Sequence, residues 1–168
     1  MADPELKQQF FDGMSHAACT VNVVTTDGPA GRHGATVSAF CSVSADPPSA
    51  LVCLKADSRI ARAVTANRAF CVNVLPQPRR DLADRFAGCH DDQVADRFEG
   101  IACETDSETG PALAGATRFS CKLQETVDFG SHRIFIGRVV QVRQGSPAPL
   151  TYLNGAYHRG VPQQVAAG

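Results

Sequence analysis

Residues 34–59 read GATVSAFCSVSADPPSALVCLKADSR, and the punctuation of this stretch decides the fold. Residues 35–44 mix β-branched and small residues and predict a strand. Asp46-Pro47-Pro48 then stops it, because two prolines cannot donate to a ladder. Residues 50–54, ALVCL, are continuously apolar, as expected of a strand buried on both faces. Ser58 can cap a short helix that carries Ile60, Ala61 and Val64, with Asn67 as its stop.

Working outward, residues 18–26 (ACTVNVVTT) are β-like and end at the turn formers Asp27-Gly28-Pro29-Ala30-Gly31. With residues 35–44 they predict a hairpin with a longer loop. Upstream, residues 4–15 start on a proline and place Leu6, Phe10, Phe11 and Met14 on one helical face. Downstream, residues 69–75 predict a strand halted by Pro76 and Pro78, and residues 80–87 a helix with Leu82, Ala83 and Phe86 on one side. Residues 88–117 are turn-rich. Longer strands are predicted over 118–127 and 132–143, the second with Ile134, Ile136, Val140 and Val142 alternating against Arg133, Gly137 and Arg143. Residues 150–157 form a last apolar piece, and the tail from about 160 reads as loose. Six or seven closely spaced strands with two or three short helices, and no regular βαβ alternation, predict a mainly β, antiparallel barrel with helices at its margins. The 168 residues suit one domain over 1–168.

Composition narrows the function. Hydrophobic residues make up 43% and charged residues 20%, a soluble globular balance. Sixteen basic against seventeen acidic side chains give a net charge of −1, which removes the main argument for nucleic-acid binding. No apolar run is long enough to span a bilayer, and the start of the chain lacks the pattern of a signal peptide. The seven cysteines show no CxxC pair and no ligand spacing, so a reduced, cytoplasmic protein with mostly packed thiols and no metal is expected. Fingerprints of Rossmann and P-loop nucleotide sites, zinc proteases and hydrolase nucleophile elbows are absent. His90-Asp91-Asp92 reads as a solvated loop, since adjacent residues do not converge on one ion.

Within residues 34–48, the small and hydroxylated side chains (Thr36, Ser38, Ser42, Ser44) would let a flat ligand approach the backbone. The apolar strand that follows ends in Lys55, with Ser58 and Arg59 at a helix start. A helix N-terminus with a hydroxyl and nearby cations suits a phosphate. On pattern alone, an ordinary surface strand is the favoured reading of these Ser and Thr residues.

This signature strongly resembles the flavin reductase family of FMN-binding split barrels. Supporting matches run to about Tyr157: TVNVVTTDGPAG, FCVNVL, DLADRFAG, Arg97-Phe98 with Gly100, GSHRIFIGRV and Leu150-Thr151-Tyr152. Reductase components of two-component flavin monooxygenases, such as those serving 4-hydroxyphenylacetate or chlorophenol hydroxylases, are similar. The resemblance implies an antiparallel split β-barrel with a few short flanking α-helices. It implies an NAD(P)H:flavin oxidoreductase that moves a hydride from NADH to FAD or FMN and supplies a separate monooxygenase acting on an aromatic substrate. A homodimer with cofactor sites near the interface is expected.

By the same resemblance, Ala35, Thr36, Val37 and Ser38 would lie against the flavin ring, with Ser42 and Val43 also lining it. Cys53, Leu54, Lys55, Ser58 and Arg59 would hold the phosphate end. His132 would meet the nicotinamide as the catalytic residue; the family carries Gly-Asp-His where this chain has Gly130-Ser131-His132. Tyr157 is a second NADH-binding candidate, possible across a subunit boundary. Arg97 and Phe98 are candidates for the adenine or phosphate end, with Phe98 equally suited to core. FAD against FMN turns on whether a groove beyond the phosphate accepts AMP. The alternatives are a bound-flavin reductase of a corrinoid or ferric centre, and a flavin-binding module without turnover.

Overall fold

A computed structural model describes residues 3–104 and 108–160; the tail after residue 160 lies outside the described residues. In chain order the elements are α1 (Pro4–Ser15), β1 (Cys19–Thr20), β2 (Asn22–Thr26), β3 (His33–Val37), β4 (Phe40–Ala45) and β5 (Pro48–Lys55). There follow α2 (Arg59–Asn67), β6 (Ala69–Val74), α3 (Arg80–Ala87), β7 (Cys103–Glu104) and β8 (Ala112–Leu113). The series ends with β9 (Thr117–Phe129), β10 (His132–Arg143), β11 (Leu150–Leu153) and β12 (Ala156–Arg159). Seven strands make the main antiparallel sheet, in the order β3-β2-β6-β9-β10-β5-β4. The connection from β3 to β4 brings its two edges together, and the Cys53 amide donates to the Ala39 carbonyl at 3.2 Å across that seam. The result is the expected mainly β, antiparallel split barrel with three short helices.

Local chemistry explains the element ends. The Asp3 carboxylate accepts from the Glu5 amide at 3.0 Å and Pro4 occupies the first turn of α1. Ser58 caps α2 by accepting from the Ala61 amide at 3.2 Å. Asn67 ends α2, and its side-chain amide donates to the Thr26 hydroxyl and the Gly31 carbonyl, pinning the β2–β3 loop. Gly137 sits where a Cβ would come within 2.7 Å of the Phe70 ring, so β10 crosses the core only because the side chain is missing.

The structure corrects five local expectations. Residues 35–44 form two strands, broken at Ser38 and Ala39, where the chain turns from one sheet edge to the other. Residues 18–26 likewise split at Val21, whose amide bonds the Leu150 carbonyl and so divides the run between two sheets. The two prolines do not end strand structure: β5 begins at Pro48, a first-strand position where a missing donor is tolerated, and residues 46–47 are the turn. Residues 50–54 bury Ala50, Val52 and Leu54 but leave Leu51 and Cys53 half-buried. In β10 the buried residues are Phe135 and Gly137, whereas Ile134 and Ile136 face outward and are half-buried.

Two clusters fill the interior. One lies inside the barrel under α2, around Val24, Val52, Val64, Phe70 and Phe135. The other lies beneath α3, around Val23, Leu75, Leu82, Phe86 and Phe98. Of the seven cysteines, all free, Cys71 and Cys121 are buried, and burial pushes their thiols up to about 11 and about 12; Cys41 and Cys89 are exposed. No helix among the described residues is long and apolar enough to cross a membrane.

Candidate functional site

A cleft of about 360 Å³ opens where β3 faces β5 across the split. One wall is Ala35, Thr36, Val37, Ser38 and Ala39; the other is Cys53, Leu54 and Lys55, closed by Ser58, Ile60 and His132. Of the sequence-predicted site residues, Ala35, Thr36, Val37, Ser38, Cys53, Leu54, Lys55, Ser58 and His132 therefore come together. Arg59 faces an adjoining cavity of about 600 Å³, together with Arg97 and Phe98. Ser42 and Val43 lie on the exposed edge strand β4, outside both recesses. Tyr157 also lies outside both: its hydroxyl donates to Asp84 at 3.0 Å and the Arg80 guanidinium covers its ring. Burial, with the Asp84 carboxylate adding to it, pushes that phenol up to about 12, so it stays protonated at neutral pH.

The strand wall presents small side chains and backbone. Ala35 and Val37 turn inward onto the barrel core. Between them, the Thr36 hydroxyl donates to the Ala83 carbonyl of α3 at 2.7 Å, so Thr36 gives the cleft its backbone and not its hydroxyl. Among the described residues β3 pairs with β2 alone, so its other edge has no strand partner, although the Gly34 carbonyl accepts from Arg97. Burial, with Cys41 nearby, raises the Cys53 thiol, so this wall is neutral.

The far end gathers amides and cations. Ser58 spends its hydroxyl on the helix, donating to the Lys55 carbonyl at 2.6 Å and accepting from Ala61. The Arg59 and Ile60 amides, at the first two positions of α2, have no helical carbonyl to bond. With the Lys55 ammonium and the Arg59 guanidinium they form a positive corner. Lys55 has a loose, exposed pairing with Asp57 at 3.4 Å, which leaves it available.

At the mouth, β10 sets His132 in register with Lys55 of β5. The Ser131 hydroxyl and His132 Nδ1 share a hydrogen bond of 2.9 Å, which fixes the ring and leaves Nε2 as its second polar atom. Sequence reasoning missed Ile60 and Ala39 as lining residues and Ser131 as the partner of His132. Ile60 was legible only as a core helix residue, whereas Ser131 stood beside His132 in plain view. Among the described residues no cluster of three or more His, Cys, Asp or Glu is arranged to hold a metal.

Comparison with known proteins places this architecture. A family model described as the flavin reductase like domain matches residues 14–160. The chain is similar to the FMN reductase (NADH) RutF of Stutzerimonas stutzeri strain A1501, with 38% identity over 157 residues, 92% of this chain and 89% of that one. Among solved structures, it resembles the NADH:FAD oxidoreductase SgcE6 of Streptomyces globisporus C-1027 in complex with NAD and FAD fragments. That match has a TM-score of 0.85 and 29% identity, over 98% of this chain and 99% of that one. It also resembles BorF, the flavin reductase component of a bacterial two-component tryptophan halogenase, with a TM-score of 0.83 and 29% identity over 94% and 99% of the two chains. The split barrel and a family match over nearly its whole length make this chain a member of the flavin reductase family.

Proposed function

We propose that the chain is an NADH-dependent flavin reductase that takes FMN or FAD as a diffusible substrate and releases it reduced to a separate enzyme. The observation that carries this reading is a cleft that joins a small-residue strand edge, Lys55 with the Ser58 start of α2, and a histidine at its mouth, with Arg59 in the adjoining cavity. The residues fit a flavin: the β3 wall has no large side chain to block a planar ring, and the corner at α2 offers amides and cations to a phosphate. The chemistry that the cofactor supplies is acceptance of a hydride from NADH.

The chain's own work is positioning. Backbone N–H groups of β3 would hold the polar edge of the ring, where the cofactor's charge would grow on reduction. Lys55 and Arg59 would anchor the phosphate. His132, steadied by Ser131, orients the nicotinamide from the mouth. The Ala35, Val37 and Leu54 walls keep water from the reacting faces. No side chain needs to act as a nucleophile.

The partner architecture follows from exposed apolar surface. Leu51, Cys53, Ile134 and Ile136 face outward beside the cleft and are half-buried, and Val43 and Val127 extend the patch. A second copy of the chain would cover it, giving a homodimer with the cleft at its margin. The two-component arrangement named for BorF supports a separate receiver; we propose a flavin-dependent monooxygenase acting on an aromatic substrate, with both proteins in the cytoplasm.

Steady-state NADH oxidation by purified protein, titrated separately with FMN, FAD and riboflavin, tests the reading. Turnover that saturates with added flavin is expected. A yellow protein that does not turn over with added flavin would favour a bound-flavin carrier or a silent binding module instead.

A further inference from the structure

β9 and β10 meet at a two-residue turn, Gly130-Ser131, beside the mouth of the cleft. Gly130, at the first turn position, takes φ 57°, the left-handed conformation that a tight hairpin asks of that position. The hairpin is held in place on both sides. The Arg133 guanidinium grips the Asp128 carboxylate across the strand pair at 2.5 and 2.9 Å. The Ala56 amide, between β5 and α2, donates to the Ser131 carbonyl at 3.0 Å. The turn is therefore tied to the same loop that leads to the cationic corner.

Residues directly opposite on antiparallel strands put their side chains on one face, with Cβ atoms about 4.5–5.5 Å apart. His132 is opposite Lys55 of β5 on one side and Phe129 of β9 on the other, so Lys55, His132 and Phe129 form a row on one face. The first two line the cleft, and Phe129 stands next in the row, past its mouth. At 82% exposure, Phe129 is the most exposed large hydrophobic side chain among the described residues. Other exposed rings have an aromatic neighbour: the Phe10 and Phe11 centroids lie 6.0 Å apart, and those of Tyr152 and Tyr157 5.4 Å apart. Phe129 has no ring or cation partner among the described residues. An aromatic ring held in water by a braced hairpin, beside a ligand cleft, is poised to gain contact area from a second planar ring.

The cleft, at about 360 Å³, is near the lower end of the ~300–1,000 Å³ usual for one small-molecule site. Hydride transfer brings two rings together, so a cleft filled by the flavin leaves the donor's ring at the mouth, where His132 and Phe129 stand. We propose that Phe129 is a nicotinamide-binding residue, whose ring packs against the donor ring that His132 orients. This role rests on the flavin reductase reading and deepens it by adding an apolar contact to the polar one. His132 supplies direction, and Phe129 supplies area and keeps water from the exposed side of the nicotinamide.

Steady-state reduction of FMN by NADH and by reduced nicotinamide mononucleotide, in the wild type, Phe129→Ala and Phe129→Trp, gives the test. The mononucleotide carries the nicotinamide without the adenylate. In Phe129→Ala the KM for both donors is expected to rise about three- to tenfold, the size of one aromatic contact, with kcat and the Kd for FMN changed less than about twofold. Phe129→Trp, which keeps a flat apolar ring, is expected to stay within about twofold of the wild-type KM. Position 129 is exposed, so both variants are expected to keep the thermal midpoint and the mass of the wild type. An unchanged KM in Phe129→Ala overturns the role, as does a rise confined to NADH, which would set the ring against the other half of the donor. An FMN affinity that falls as far as the KM rises gives the ring to the flavin, and a lower mass in sedimentation gives it to a neighbouring copy; either overturns the role. A wild type that reduces FMN with neither donor removes the flavin reductase reading and this role with it. Turnover in the wild type with unchanged kinetics in Phe129→Ala overturns this role alone.

Discussion

The two faces of the β5–β10 pair have similar composition and opposite fates. Val52, Leu54, Phe135 and Gly137 point into the barrel and are buried, whereas Leu51, Cys53, Ile134 and Ile136, their immediate neighbours, point outward and remain half-buried. A strand that is apolar on both faces asks for cover on both. One chain supplies cover on the inside only. The outer face is therefore the apolar surface that the proposed homodimer would cover. Beside it, the cleft is also open, but its β3 wall is small and its end is polar and cationic, which suits a ligand better than a protein.

The largest expected effect is on the inner face. Phe135→Ala removes a fully buried ring and should cost about 3–5 kcal/mol, read as a lowered denaturant midpoint. On the outer face, Ile134→Asp with Leu51→Asp should leave the fold intact and convert a dimer to a monomer in sedimentation; a double variant with unchanged mass would break the comparison. At the corner, Arg59→Ala should weaken FMN roughly tenfold or more and riboflavin little, as a charge-assisted phosphate contact contributes about 1.5–3 kcal/mol. At the mouth, His132→Ala should raise the KM for NADH about fivefold, the loss of roughly one hydrogen bond, with flavin affinity unchanged.

The smallest effect is pH-dependent. The Arg97 guanidinium holds the Asp91 carboxyl below its usual 3.8, and the Phe98 amide, then Arg32, do the same for Asp96. Because the folded values are depressed, this stabilisation is present above the usual value and is lost as pH falls through the lowered ones. These partly exposed pairs contribute under ~1 kcal/mol each. Asp91→Asn should therefore leave the neutral-pH midpoint nearly unchanged and flatten the acid limb of the stability curve below about pH 4.

Much of the fold was legible because strand and helix periods are local. The helices at 4–15, 58–67 and 80–87 and the strand over 132–143 stand where the sequence puts them. The breaks at Val21 and at Ser38–Ala39 were not, because they arise when a continuous β-run leaves one sheet for another, which no local propensity records. The inward register of β10 was misread for a related reason: Gly137 and Phe135 face the core because Phe70 fills the space a side chain at 137 would need. Of the site, the strand wall and the helix start were visible as motif. Ser42, Val43 and Tyr157 lie outside both recesses of the chain, whereas the Arg32–Phe98 cavity depends on segments 64 residues or more apart and had no sequence signal beyond Arg97-Phe98.

On the proposed reading, NADH reduces a flavin held in the β3–β5 cleft. The decisive experiment is anaerobic rapid mixing of the protein and one equivalent of FMN with NADH, followed by the loss of visible flavin absorbance. Complete bleaching at least as fast as steady-state turnover, and slowed in His132→Ala at subsaturating NADH, is the predicted result. Bleaching no faster than that of FMN and NADH in buffer alone would contradict it.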